Sequence, residues 1–137
     1  MTLNYLERRF NILNYTGKRI LVIDFETYFD TKIGYCLKTK EKPKGLPVVQ
    51  YIRDQRFHAH GLGYRFLDDT KTHWITGNHV ISAWVASVDW ANTVLVAHNI
   101  RFDASILQWR FGAPLPYAHM DTVGLAKAVL GENVSSY

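Results

Sequence analysis

The sequence is poor in cysteine and in long apolar runs, and each absence excludes a class of protein. Cys36 is the only cysteine in 137 residues, so a disulfide framework and a thiolate zinc site are excluded and a reducing interior is favoured. No apolar run approaches the about 20 residues of a membrane helix. The first residues, MTLNYLERRFNILNY, have no continuous apolar core, so they do not resemble a signal peptide. We therefore expect a cytoplasmic protein with no membrane partner.

Composition and charge indicate one folded domain. Hydrophobic residues make up 47% of the sequence and aromatic residues 14%, which is too apolar for a disordered chain. The net charge of +4 favours contact with an acidic polymer, although ordinary globular proteins are often equally basic. The length fits one domain over residues 1–137, and no internal repeat is present.

The order of apolar patterns predicts a mixed α/β domain, with a sheet and helices packed on it. Turn residues, caps and the spacing of apolar residues mark the boundaries. We predict helices over 3–13, 48–57, 79–91, 102–111 and 122–131, and strands over 19–27, 58–67, 71–77, 93–99 and 119–122.

Three finer expectations concern burial. The first strand is apolar throughout, which is typical of a strand covered on both faces. The helix over 79–91 is expected to begin at an Asn78 cap and to bury one face. That face is formed by Val80, Ile81, Trp84, Val85 and Val88, and the tryptophans Trp74, Trp84, Trp90 and Trp109 are expected in the core.

An apolar strand runs directly into two acids in ILVIDFETYFD, residues 20–30. Asp24 and Glu26 are two residues apart, so on a strand both side chains point the same way. Two carboxylates on one face repel, and a cation or solvent is needed to make the arrangement tolerable. Magnesium is the natural candidate, because it prefers oxygen ligands and takes one or two carboxylates plus substrate phosphate.

The acid pair carries little weight alone, because about one such pair is expected by chance in a sequence of this composition. A third acid in a matching context makes it informative. In VLVAHNIRFDASIL, residues 94–107, another apolar strand ends in His98 and Asn99 and turns into a helix whose first turn holds Asp103. Taken alone, an acid at a helix start is explained by capping and by the helix dipole.

Together, IDFET, AHNIRFD and MDTVGLAKAVL resemble the motifs of the DEDD superfamily of 3′–5′ proofreading exonucleases. More narrowly, DFETYFD, YIRDQRF and HGLGYRF are similar to the N-terminal exonuclease segment of phage-type family A DNA polymerases. The resemblance covers residues 19–137. It implies a ribonuclease H-like mixed sheet flanked by helices, and hydrolysis of terminal phosphodiesters of DNA with two Mg²⁺ or Mn²⁺ ions.

The resemblance also implies residue roles. Asp24 would bridge both metals, Glu26 would hold the metal that binds the attacking water, and Asp103 would support the second metal. Asp121 aligns with a non-catalytic position. Contacts with nucleic acid would come from Thr27, Tyr28, Asn99, Phe102, Lys38, Lys40, Lys42 and Lys44, although a lysine run is more often a solvated loop.

The sequence departs from the resemblance in its last part. The family has a fourth acid in a third motif, preceded by His or Tyr, but after Asp121 the only acid is Glu132. We therefore expect a C-terminally incomplete domain that lacks the last helices, or a small protein that lacks one ligand. In either case this chain alone should have weak activity or none.

The implied biology is phage DNA replication in the host cytoplasm. The partners would be a single-stranded or frayed 3′ end of DNA, with a DNA polymerase domain or a replication protein. One alternative is a catalytically inactive ribonuclease H-like module that acts in nucleic-acid binding or scaffolding. Another is an RNA–DNA hybrid nuclease, against which the HN-x-x-F-D block argues.

Overall fold

The computed structural model describes residues 17–131, which form a five-stranded mixed sheet with helices packed against it. The mixed α/β class predicted from the sequence is therefore confirmed, whereas the predicted helix over 3–13 lies outside the described residues. The strands are β1 (Arg19–Thr27), β2 (Ala59–Phe66), β3 (His73–Ile75), β4 (Thr93–Ala97) and β5 (Ala118–Asp121). The helices are α1 (Val48–Arg53), α2 (Asn78–Ser87), α3 (Ile100–Phe111) and α4 (Thr122–Leu130), with a 3₁₀ turn over Trp90–Asn92.

β1 lies at the centre of the sheet, whose strand order is β3-β2-β1-β4-β5. It pairs antiparallel with β2 and parallel with β4, and β4 pairs parallel with β5. The crossover from β1 to β4 contains α2, and the crossover from β4 to β5 contains α3. Because both crossovers step in the same direction and parallel crossovers are right-handed, α2 and α3 pack on the same face of the sheet. The carboxyl ends of β1, β4 and β5 meet at one edge.

The predicted elements between residues 19 and 131 are all present, most of them shorter at one end or both. The helix predicted over 79–91 ends at Ser87, because Val88 adopts extended backbone and a 3₁₀ turn follows. Its predicted start is also wrong in detail. Gly77 occupies the cap position with no side-chain cap, and Asn78 is the first helical residue.

The core lies between the sheet and helices α1, α2 and α3. Leu21, Ile23 and Phe25 alternate along β1 and are buried on the helix side. Ile81 and Ile106 are buried in the same cluster. Each such side chain contributes about 1.5–3 kcal/mol on burial, so this face holds the central strand firmly in place.

The other face of β1 corrects the expectation that the strand is covered on both sides. Val22, Asp24 and Glu26 are all exposed in the part of the chain that the structure describes. This alternation is typical of a strand with one covered face. This alternation is not evident in the sequence, because the exposed Val22 is apolar. β4, by contrast, is buried at all five residues.

Two of the four tryptophans are not core residues. Trp90 is buried and Trp84 packs against the core, but Trp74 is 54% exposed and Trp109 is 39% exposed. Val80, expected on the buried face of α2, is exposed as well. Among residues 17–131, no helix combines the length and the apolar character that crossing a bilayer requires.

Candidate functional site

The first two candidate acids lie side by side on the exposed face of β1, near its carboxyl end. Asp24 and Glu26 are both exposed, and Phe25 between them points into the core. The Phe25 ring stacks on Phe111 of α3 with 5.8 Å between ring centroids. Packing of this ring therefore determines the direction in which the two carboxylates point.

The third acid reaches the same strand from the first turn of α3. Asp103 is only 3% exposed, and its Oδ1 accepts a hydrogen bond of 2.9 Å from the backbone N–H of Phe25. β4 pairs with β1 only as far as Val22, opposite Val96. Beyond that point the Asp103 carboxyl takes the place of a strand partner, which satisfies a buried donor.

The turn between β4 and α3 brings Asp103 to this position. Asn99 has a left-handed backbone, with φ 59° and ψ 58°, which an asparagine tolerates better than most residues. Its N–H donates to Asp121 Oδ1 at 3.0 Å, and the same oxygen accepts from Val123 N–H at the start of α4. Asp121 thus caps a helix and supports the turn.

The environment of Asp103 favours its neutral form. Burial raises the pKa of this carboxyl from an ordinary 3.8 to about 7, and the nearby negative charges of Asp24 and Glu26 add to the rise. The hydrogen bond from Phe25 N–H acts in the opposite direction. A cation near the three acids would favour the ionised form, so metal binding here would release a proton.

The three acids line one open cavity of about 510 Å³ at the carboxyl ends of β1 and β4. Four of the eight residues expected to contact nucleic acid line it as well: Thr27, Asn99, Phe102 and Lys42. The exposed ring of Phe29 also lines the cavity, and Lys42 Nζ lies 5.7 Å from the centroid of this ring. The cavity therefore combines carboxylates, a cation and an exposed aromatic ring.

The other four expected contacts lie elsewhere. Tyr28 stacks on Tyr35 with 5.8 Å between centroids, and its carbonyl accepts a hydrogen bond from the Tyr51 hydroxyl. It is not among the residues that line the cavity. Three exposed lysines of the loop before α1 are also outside the lining: Lys38, Lys40 and Lys44.

The carboxylate oxygens of the site suit a hard divalent cation, but the described side chains do not form a complete set of metal ligands. Carboxylate oxygens are the ligands that Mg²⁺ prefers. Over residues 17–131, however, no group of three or more His, Cys, Asp or Glu side chains is arranged to hold a metal ion. Asp24 and Glu26 are the two acids whose carboxylates are exposed at the site, and they would be the groups to hold such an ion. Asp103 already uses one oxygen for Phe25 N–H.

Sequence reasoning missed part of the surroundings of the acids. On the open face of the sheet, Gly61 and Gly63 of β2 lie beside β1, and the ring of Trp74 from β3 lies over Gly61. Gly63 and Trp74 line a second cavity of about 330 Å³ together with Asp24 and Glu26. The two glycines occur at period two in HGLGYRF, which places both on one face of a strand. The register that sets them beside the acids is a long-range property.

Comparisons of the chain with protein-family models, with curated proteins and with solved structures returned no match.

Proposed function

We propose that the chain is a metal-dependent 3′–5′ exonuclease domain of the proofreading type, with a ribonuclease H-like fold, that hydrolyses terminal phosphodiesters of DNA. One observation carries the proposal: the hydrogen bond of 2.9 Å from Phe25 N–H to Asp103 Oδ1. It ties the start of α3 to the strand that carries Asp24 and Glu26, so acids from two segments far apart in sequence line one cavity.

The mixed sheet flanked by helices is compatible with a ribonuclease H-like fold. The chemistry also agrees with the site. A pair of Mg²⁺ or Mn²⁺ ions would supply an activated water and neutralise charge on the phosphate. Phosphoryl transfer otherwise needs little more than positioning and charge compensation.

The chain's own residues have distinct tasks in this proposal. Asp24 and Glu26, on the open face of β1, would hold the ions. The raised pKa of Asp103 favours its neutral form, and a cation bound beside it would favour the ionised form, which would couple metal binding to proton release. Lys42 attracts the phosphates of the incoming strand, and Phe29 offers a ring against which an unpaired base packs.

The expected activity is weak, because the fourth acid that the motif resemblance requires has no counterpart in the sequence. The second candidate function is an inactive module for nucleic-acid binding or scaffolding. It is favoured by the absence, within the described residues, of three ligands arranged around one metal position. In both cases the proposed partners are a 3′ end of DNA and a DNA polymerase domain or replication protein in the same cytoplasm.

The test uses 3′-labelled single-stranded DNA with Mg²⁺, Mn²⁺ or EDTA. Asp24→Asn is the informative variant. Asp68→Asn is its control, because Asp68 is an exposed acid that does not line the cavity and is paired with Arg19. We expect slow release of mononucleotides that requires metal, is lost in Asp24→Asn and is unchanged in Asp68→Asn.

Other results would decide against parts of this proposal. Fast release that disappears in Asp24→Asn would contradict the expectation of weak activity. DNA binding without cleavage in any metal would favour the inactive module. Cleavage that persists in Asp24→Asn would show that the Asp24 carboxylate is not needed for the reaction.

A further inference from the structure

Trp74 is an exposed tryptophan on the same sheet face as the candidate metal ligands. It belongs to β3, and the register runs in one row from Asp24 on β1 through Gly63 on β2 to Trp74. Glu26 pairs in the same way with Gly61. The two positions of β2 that face the acids therefore carry no side chains.

The indole of Trp74 lies back across β2 and rests on the backbone of Gly61. A Cβ atom built at Gly61 would be 2.1 Å from Trp74 Cζ2, so any other residue at this position would displace the ring. A Cβ at Gly63 would be 3.9 Å from Trp74 Cε3, which is an ordinary contact. Gly61 thus allows the ring to lie on the strand, and the remaining surface of the ring is open, since over half of the residue is exposed.

Trp74 and the acids border the same space. The cavity of about 330 Å³ has Asp24 and Glu26 on one side and Trp74 on the other, with Gly63 between them. Adjacent strands are about 4.8 Å apart, and the ring covers the strand next to β1. A nucleotide whose phosphate lies at the carboxylates has its base within reach of this ring.

We propose that Trp74, seated on Gly61, is a stacking platform for the nucleobase of the nucleotide bound at Asp24 and Glu26. This inference rests on the proposed function, since it assigns a base subsite to that same metal-phosphate site. Stacking on a flat ring accepts every base, because each base has a π-face. Arg65 of β2 lines the same cavity and adds a positive charge beside the platform.

Two probes separate the base from the phosphate: deoxyadenosine 5′-monophosphate and 2-deoxyribose 5-phosphate, which lacks the base. Binding is measured by calorimetry with Mg²⁺ and with EDTA. In Mg²⁺ we expect the nucleotide to bind at least about fivefold more tightly than the sugar phosphate. Trp74→Ala should remove this difference without changing the affinity for the sugar phosphate, and Trp74→Phe should restore part of it.

Matched variants protect the test against local unfolding. Gly61→Ala should weaken nucleotide binding as Trp74→Ala does, because the methyl group displaces the ring, whereas Gly63→Ala should leave the ring in place. Trp109 is a second exposed tryptophan, covered by Arg53 at 4.6 Å from its ring centroid. Nucleotide should quench the fluorescence of Trp109→Phe and not that of Trp74→Phe.

The outcomes distinguish this inference from the proposed function. If both probes bind in Mg²⁺ but Trp74→Ala and Gly61→Ala bind nucleotide as tightly as wild type, the platform is refuted and the metal-phosphate site stands. If neither probe binds and Mg²⁺ leaves the Tm unchanged, the proposed function fails and the platform fails with it. Absence of quenching in Trp109→Phe, despite measurable nucleotide binding, would also refute the platform and would mean that this face serves another contact.

Discussion

Replacing Asp103 by asparagine should stabilise the metal-free protein at neutral and alkaline pH. Asn keeps an Oδ1 that can accept from Phe25 N–H, the bond of 2.9 Å that anchors α3 to β1, but it carries no charge. The buried carboxyl has a pKa of about 7, compared with 3.8 for an ordinary aspartate. Above pH 7 the folded wild type must hold a buried charge that the unfolded chain holds in water. At 1.36 kcal/mol per pH unit, this costs about 4 kcal/mol.

The sign of the pH dependence follows from the direction of the shift. Because the folded pKa of Asp103 is raised, its contribution to stability is fully present below the ordinary Asp pKa of 3.8 and is lost as the pH rises through about 7. The advantage of Asp103→Asn should therefore grow from about 1 kcal/mol at pH 4.5 to about 4 kcal/mol at pH 8. At pH 8 this corresponds to a Tm higher by about 10 °C or more.

Urea and thermal unfolding of three variants in EDTA check this prediction. Asp103→Ala removes the acceptor for Phe25 N–H and should be less stable than Asp103→Asn by about 1–3 kcal/mol, the cost of an unsatisfied buried donor. Asp68→Asn, an exposed control, should match wild type at both pH values. Added Mg²⁺ should raise the Tm of wild type at pH 8, and raise that of Asp103→Asn less.

Two results would refute the reasoning. One is an Asp103→Asn variant that is no more stable than wild type at pH 8 in EDTA. The other is a stability difference that is the same at pH 4.5 and at pH 8, because a difference of that kind would come from packing and not from ionisation.

Three further predictions follow from individual contacts. Asp121→Ala removes an acceptor shared by two backbone N–H groups and should lower the free energy of urea unfolding by about 1–2 kcal/mol. Mg²⁺ binding should be retained, and its loss would mean that Asp121 is a ligand. Phe25→Ala should lower the free energy of unfolding by about 3–5 kcal/mol, because it deletes a buried ring stacked on α3. A loss under about 1 kcal/mol would show that the ring does not anchor β1. Lys42→Gln should reduce the slope of log affinity for single-stranded DNA against log salt concentration by about 0.7, whereas Lys44→Gln, outside the cavity, should leave it unchanged. Equal slopes for the two variants would mean that Lys42 lies in a solvated loop and makes no specific contact with DNA.

Local patterns determined most of the elements. The apolar run before Asp24 predicted β1 with its observed bounds, and the left-handed Gly112 ends α3 where the sequence placed the end. These signals succeed because side-chain periodicity and glycine conformation are properties of a few neighbouring residues. The same local reading placed Asp24 and Glu26 on one face of the strand.

Burial was predicted less well, because it depends on what packs against an element. Val22 made β1 look apolar on both sides, yet its outer face is exposed in the described residues. Trp74 was assigned to the core from its residue type alone and is instead exposed beside the candidate ligands.

Patterns within single segments are enough to predict the strand that carries two acids, the helix that carries the third, and the order of these elements along the chain. They do not predict that Asp103 meets the backbone of Phe25, 78 residues away, or that Gly61 and Trp74 come to border the acids, which is seen in the folded chain alone. Strand register and the end of strand pairing are set by contacts between distant segments. Periodicity within one segment contains no information about them.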